Sequence, residues 1–160
     1  MPDMLVKLYA LPSLEEAIDR ASAQEIEIRR ALSPEKPQVL DWVRTNFTPW
    51  IAEAEAAFCR LPVACFLALR DRSILGFACY DAACRNFFGP EGVLASERGR
   101  GIGRVLLLAV LHAQKAQGYA YSIIGAVGPA QFYAKTVGAV VIEGSTPGVY
   151  AGMLRAKPPA

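Results

Sequence analysis

Histidine occurs once in this 160-residue chain, and no two of its four cysteines stand at the two-residue spacing of a zinc site. That scarcity argues against a metal centre. Charge of one sign is scarce as well. The 17 Lys and Arg against 15 Asp and Glu leave a formal net charge of +2, too little for nucleic-acid binding through a broad basic surface. No apolar run approaches the ~20 residues that span a bilayer, and residues 1–10 lack a basic leader ahead of a long apolar core. The expectation is a cytoplasmic protein that uses no metal, no nucleic acid and no membrane.

Just over half of the residues, 53%, are hydrophobic and 20% are charged, the balance of a folded domain rather than of a disordered chain. A chain of this length buries roughly 70% of its unfolded surface, so one core needs no staples. Cys59, Cys65, Cys79 and Cys84 sit mostly in apolar runs and read as buried, reduced thiols.

Hydrophobic periodicity orders the elements. Residues 4–11 read as a short strand. Ser13 and Glu16 form a capping box that starts a helix running to about Gln24. Residues 25–32 alternate charged and apolar side chains as a half-buried strand does. Ser33-Pro34 and Thr48-Pro49 each start a short helix, carrying the aromatics Trp42, Phe47, Trp50 and Phe58. Residues 63–69 and 74–80 read as an antiparallel strand pair, and residues 87–95 as a third strand interrupted by a Gly89-Pro90-Glu91-Gly92 bulge. A long helix from about Arg100 stops at Gly118. Residues 119–127 read as a buried strand, residues 130–137 as a short helix closed by Gly138, and residues 139–154 as a hairpin. Residues 155–160 read as a frayed tail.

The most informative stretch is Arg98-Gly99-Arg100-Gly101-Ile102-Gly103-Arg104, placed where an apolar segment gives way to an amphipathic helix. Glycine lets the backbone approach a ligand closely. The first helical amides lack internal partners, and the helix dipole favours an anion there. A phosphate or pyrophosphate fits such a site. The ATPase phosphate loop needs Lys-Ser/Thr after its glycines and the dinucleotide fingerprint a different glycine spacing; neither fits.

Arg98-x-x-Gly101-x-Gly103 at a helix start, then a strand, then Phe132-Tyr133 in a short helix ending at Gly138, resembles the GCN5-related N-acetyltransferase family over roughly residues 25–154. Residues 1–24 would then be a strand–helix extension packed on that domain. The resemblance implies a mixed, mostly antiparallel twisted α/β sheet, splayed near its middle, with helices on both faces. It also implies direct transfer of an acetyl group from acetyl-CoA to a primary amine. Arg98, Gly99, Arg100, Gly101, Ile102, Gly103 and Arg104 would hold the pyrophosphate of acetyl-CoA, and Val93, Leu94 and Ala95 would present backbone groups to the pantetheine arm. Tyr133 would be the general acid that protonates the leaving thiolate. The strand glutamate that many relatives carry is replaced by Phe87; Glu91 and Asp81 are then nearby carboxyls open as the base, and a site without a fixed base, which passes the proton through ordered water or takes a weakly basic acceptor, stays open beside them. Trp42 and Trp50, with Phe47 and Phe58, read as core aromatics of the two early helices, which in the family help wall the acceptor site, so a minor role in substrate shape stays open; His112 reads as a packed or helix-surface residue. A protein N-terminus, a lysine, a polyamine, an aminoglycoside and other small amines all stay open as acceptors. A homodimer is an expected assembly. The rival reading is an inactive acyl-CoA sensor, or an interaction module that offers its first strand and helix as a partner edge.

Overall fold

The computed structural model describes residues 1–154. Its centre is one open seven-stranded sheet in the order β2-β3-β4-β5-β6-β1-β7. The strands are β1 (Met4–Lys7), β2 (Glu27–Arg30), β3 (Cys65–Arg70), β4 (Ser73–Tyr80), β5 (Phe87–Val93), β6 (Tyr121–Ile124) and β7 (Val140–Val141). The helices are α1 (Leu14–Ser22), α2 (Lys36–Asn46), α3 (Ile51–Phe58), α4 (Ile102–Ala116) and α5 (Ala130–Val137). Every strand pairing is antiparallel except β5 with β6, which are parallel and joined by α4 as the crossover.

α4 carries the core. Ile102, Val105, Leu106, Leu107, Leu108, Val110 and Leu111 are all buried, which exceeds the single apolar stripe of a surface helix. The excess is explained by α1, which packs against α4 as well as against β2. α2 and α3 cover the opposite face of the sheet, burying Val39, Val43, Ala54 and Ala57 and gathering Trp42, Phe47 and Trp50 around Phe77.

The two faces can be followed residue by residue. Gly76 of β4 lies under Leu106 of α4, whereas its neighbour Phe77 meets the α2–α3 aromatics, as the two-residue period of a strand requires. Across the ladder Glu91 pairs with Ala78 and Gly92 with Phe77. Glu91 therefore belongs to the α4 face and Gly92 to the α2–α3 face. Between the pairs Ala78↔Glu91 and Tyr80↔Phe88, β4 has one residue and β5 has two, the expected bulge at Gly89-Pro90.

Four expectations change. Residues 1–24 are part of the central sheet rather than an appendage: β1 pairs along its whole length with β6 and, through Met4 and Leu5, with β7. That pairing suits a strand with buried Met4 and Val6, and among the described residues it leaves Val6 and Lys7 without a strand partner on the β7 side. The expected C-terminal hairpin is absent; β7 joins β1, and Gly148–Tyr150 is a 3-10 turn. Among the thiols Cys65 and Cys79 are buried, but Cys59 is exposed and Cys84 half-buried, and all four are free. The Ser13 cap forms, its Oγ accepting the Glu16 amide at 3.2 Å, whereas the expected strand of residues 119–127 shortens to β6. The expected tail, residues 155–160, lies outside the described residues. No helix among the described residues is long and apolar enough to cross a membrane.

Candidate functional site

β5 and β6 meet only through Phe87↔Ile123 and Phe88↔Ile124 and then part. The junction is locked from α4: the fully buried Gln114 donates to the Phe87 carbonyl at 3.4 Å and accepts from Ser122 Oγ at 2.8 Å. Beyond the lock the strands open on a cavity of about 990 Å³, lined from both faces of the sheet. Small-molecule sites run from about 300 to 1,000 Å³, so this one has room for a long ligand or for two reactants side by side.

On the α4 face the cavity reaches the glycine run. Gly101 caps α4 at φ +81°, a conformation in which an L side chain is strained. No side chain caps the helix and no acid lies in its first turn. The unpartnered amides of that turn belong to residues that line the cavity, among them Ile102, Gly103 and Arg104. Gly99 and Arg98 line it too, the Arg98 Nε donating to the Val93 carbonyl at 3.2 Å.

Three residues expected here face elsewhere. The Leu94 amide donates to the Leu75 carbonyl at 2.9 Å, completing the sheet, and Ala95 opens a 3-10 turn. Arg100 turns back to Glu97, with Nε 3.6 Å from its carboxylate, and borders a small cleft formed with α1. Strand groups reach the gap instead from Val93 and from Gly89 to Gly92.

Of the two carboxyls open as the base, Asp81 is withdrawn. It is buried outside the cavity, accepting the Asn86 amide at 2.6 Å and the Tyr119 hydroxyl at 3.2 Å, with Arg60 at 3.4 Å. Glu91 lines the cavity with Oε1 out of solvent and without a hydrogen-bond partner. Burial pushes its carboxyl up to about 8. Tyr133, on α5, lines the same space, packed edge-on against Phe88 and Phe132. Burial and, behind it, the charge of Glu91 hold the phenol well above its usual range. Cys79 is fully buried with its thiol pushed up by desolvation, which removes it as a nucleophile. Cys84 does not line the cavity. His112 is tied to the Pro12 carbonyl at 2.9 Å, a packing role.

The α2–α3 face supplies what the sequence left largely unassigned. Phe47, Trp50 and Glu53 border the cavity there, with Phe87 and Tyr150. Trp50 and Glu53 stand three residues apart on one helical face, a spacing visible in the sequence. Nothing local marks Tyr150, which is brought in by the 148–150 turn. Among the described residues no group of three or more His, Cys, Asp or Glu side chains is placed to hold a metal ion.

Comparison with solved structures places this architecture. The GCN5-related glucosamine N-acetyltransferase region of a fungal multi-domain GH3 β-N-acetylglucosaminidase superposes with a TM-score of 0.73 at 16% identity, covering 88% of this chain and 19% of that one. A GCN5-related N-acetyltransferase from Sphaerobacter thermophilus gives 0.68 at 19% identity, covering 88% and 48%. A Drosophila protein gives 0.58 at 17% identity, covering 88% and 47%. This chain thus spans less than half the length of each. No family model matches it, and no curated protein does.

Proposed function

We propose that this chain, which has the fold of the GCN5-related N-acetyltransferases, transfers an acetyl group from acetyl-CoA directly to a primary amine. One observation carries the reading. A single cavity, running through a gap in the sheet, joins an uncapped glycine-rich helix start to a buried phenol and to the Glu91 carboxyl, which has no hydrogen-bond partner at Oε1 among the described residues.

The residues fit acetyl-CoA chemically. Free amides at the start of α4, with Arg98 and Arg104, suit a pyrophosphate. β5 beyond Phe88 has no strand partner on its β6 side, so its backbone groups there are available to the amide-bearing pantetheine arm. Bound acetyl-CoA supplies an activated thioester. What remains for the protein is to orient it, to polarise its carbonyl and to manage two protons.

Glu91 and Tyr133 are assigned those protons. Ionised Glu91 accepts the proton of the attacking amine, and Tyr133 donates to the departing sulfur. A phenol held above its usual range is a weak acid, and every pKa unit above that of the thiol costs about 1.4 kcal/mol for complete transfer. Part of that cost disappears when Glu91 takes up a proton, because its charge no longer opposes the phenolate. Two cavity-lining carboxyls, Glu91 and Glu53, favour the catalytic reading over an inactive sensor.

Thermal unfolding with and without acetyl-CoA is the direct test. At about one hundred times the dissociation constant, binding adds about 2.7 kcal/mol, a rise of roughly 5–11 °C for a domain of this size. No shift with acetyl-CoA or CoA would defeat the proposal. A shift accompanied by thiol release on adding amines would support it.

A further inference from the structure

The α2–α3 side of the cavity has a composition that acetyl transfer by itself does not call for. Phe47 stacks on Trp50 with ring centroids 5.4 Å apart and planes 13° from parallel. Gly92 makes room for it, since a Cβ there would stand 2.8 Å from the Phe47 ring. Two further aromatics, Phe87 and Tyr150, line the same cavity. Phe87 and the Tyr150 hydroxyl each come within 2.9 Å of where Gly125 would carry a Cβ. Two glycines thus let four aromatic side chains settle onto diverging strands.

Charge is distributed unevenly over the same cavity. Arg98 and Arg104 lie at the α4 start, and Glu97 is engaged by Arg70 at 3.1 Å and Arg100 at 3.6 Å. Glu91 stands on the α4 face. On the aromatic side the charged lining residue is Glu53, half-buried and without a cationic partner among the described residues. It lines the cavity together with Trp50 and Tyr150. Burial holds its carboxyl above the ordinary range.

We infer that this side binds the acceptor as a small primary monoamine with an aromatic or aliphatic body, its ammonium on Glu53 and its body among the rings of Phe47, Trp50, Phe87 and Tyr150. The inference rests on the acetyltransferase reading of the cavity. One carboxyl balances one ammonium. A polyamine or aminoglycoside would bring further charges against aromatic rings that cannot compensate a strongly hydrated cation fully. Glu53 holds the nitrogen that becomes acetylated, so it selects the amine by its single charge and positions the reacting atom.

The test uses the full chain, acetyl-CoA and three probes: 2-phenylethylamine, spermidine and kanamycin, with thiol release as the readout. kcat/KM for 2-phenylethylamine should exceed that for either polycation by about tenfold or more. Glu53→Gln should lower kcat/KM for 2-phenylethylamine about tenfold or more through loss of a charge-assisted contact to the reacting nitrogen, with the acetyl-CoA thermal shift unchanged. Glu53→Asp should recover part of the loss. A preference for spermidine or kanamycin, an unchanged kcat/KM in Glu53→Gln, or no turnover of 2-phenylethylamine by protein that binds acetyl-CoA overturns this inference alone. Absence of any acetyl-CoA shift in the wild type defeats the transfer reading, and this inference falls with it.

Discussion

Glu91 lies beneath Gly103: a Cβ on that glycine would stand 3.4 Å from the unpartnered carboxyl oxygen Oε1. An unsolvated acid therefore sits under the helix start that is proposed to receive a pyrophosphate. Gly103 differs in this from Gly101. Gly101 is required by its positive φ, and the space in its side-chain direction is open; Gly103 has ordinary φ, and a Cβ there would make ordinary contact with Glu91.

The position of Glu91 makes the protein sensitive to pH in a defined direction. Its folded-state pKa, about 8, lies above the ordinary 4.5, so the folded chain keeps a proton that the unfolded chain has lost. Its contribution is fully present below about 4.5 and is lost as pH rises to about 8, at no more than about 1.4 kcal/mol per pH unit. Denaturant unfolding from pH 5.5 to 8.5 should show this decline in the wild type and a flatter profile in Glu91→Gln. Acetyl-CoA affinity should weaken through the same range in the wild type alone, because an ionised Glu91 repels the anion.

Tyr133→Phe removes the hydroxyl while keeping the packing against Phe88 and Phe132. kcat for amine acetylation should fall by about 10²-fold or more, with the acetyl-CoA-induced rise in Tm retained. Equal turnover in the variant would assign the leaving-group proton elsewhere.

Gly101→Ala puts a side chain on a residue at φ +81°. The strain should cost about 1–2 kcal/mol in chemical denaturation. Because the same residue sets the direction of the first α4 amides, acetyl-CoA affinity should fall as well. A variant of wild-type stability would show that the loop relaxes freely.

Gln114→Leu tests the lock at the base of the gap. The buried amide holds the Phe87 carbonyl and Ser122; on its loss the carbonyl keeps the Asp81 amide and the Ser122 hydroxyl keeps the Asn86 carbonyl, so the cost should be about 0.5–1.5 kcal/mol per lost bond. Hydrogen exchange should quicken at the Ile123 amide, which bonds the Asn86 carbonyl at 2.8 Å beside the junction.

Much of the site on the α4 side was legible in the sequence because its signals are local. Glycines at a strand-to-helix transition, arginines around them and an aromatic-tyrosine pair before Gly138 each declare themselves within a few residues. Arg100, Leu94 and Ala95 were misplaced because a strand's end and a loop's twist decide which side a residue faces, and neither is written in residue type. Glu53 and Tyr150 escaped notice for a different reason: their meeting with Phe87 and Glu91 joins segments that are distant along the chain.

The amino-acid sequence by itself determined the order of helices and strands, the buried character of α4 and the anion-suited glycine run. These follow from periodicity, capping and backbone freedom, which act over one or two turns. Tertiary structure alone decided that residues 4–7 would enter the sheet between β6 and β7, and that Glu91 and Gly92 would face opposite sides. It also decided that the β5–β6 gap would bring both sides into one cavity. Strand partners and strand facing are set by which long-range pairings satisfy the most backbone groups while burying the most apolar surface. That balance is struck by the whole chain at once, so no single segment records it.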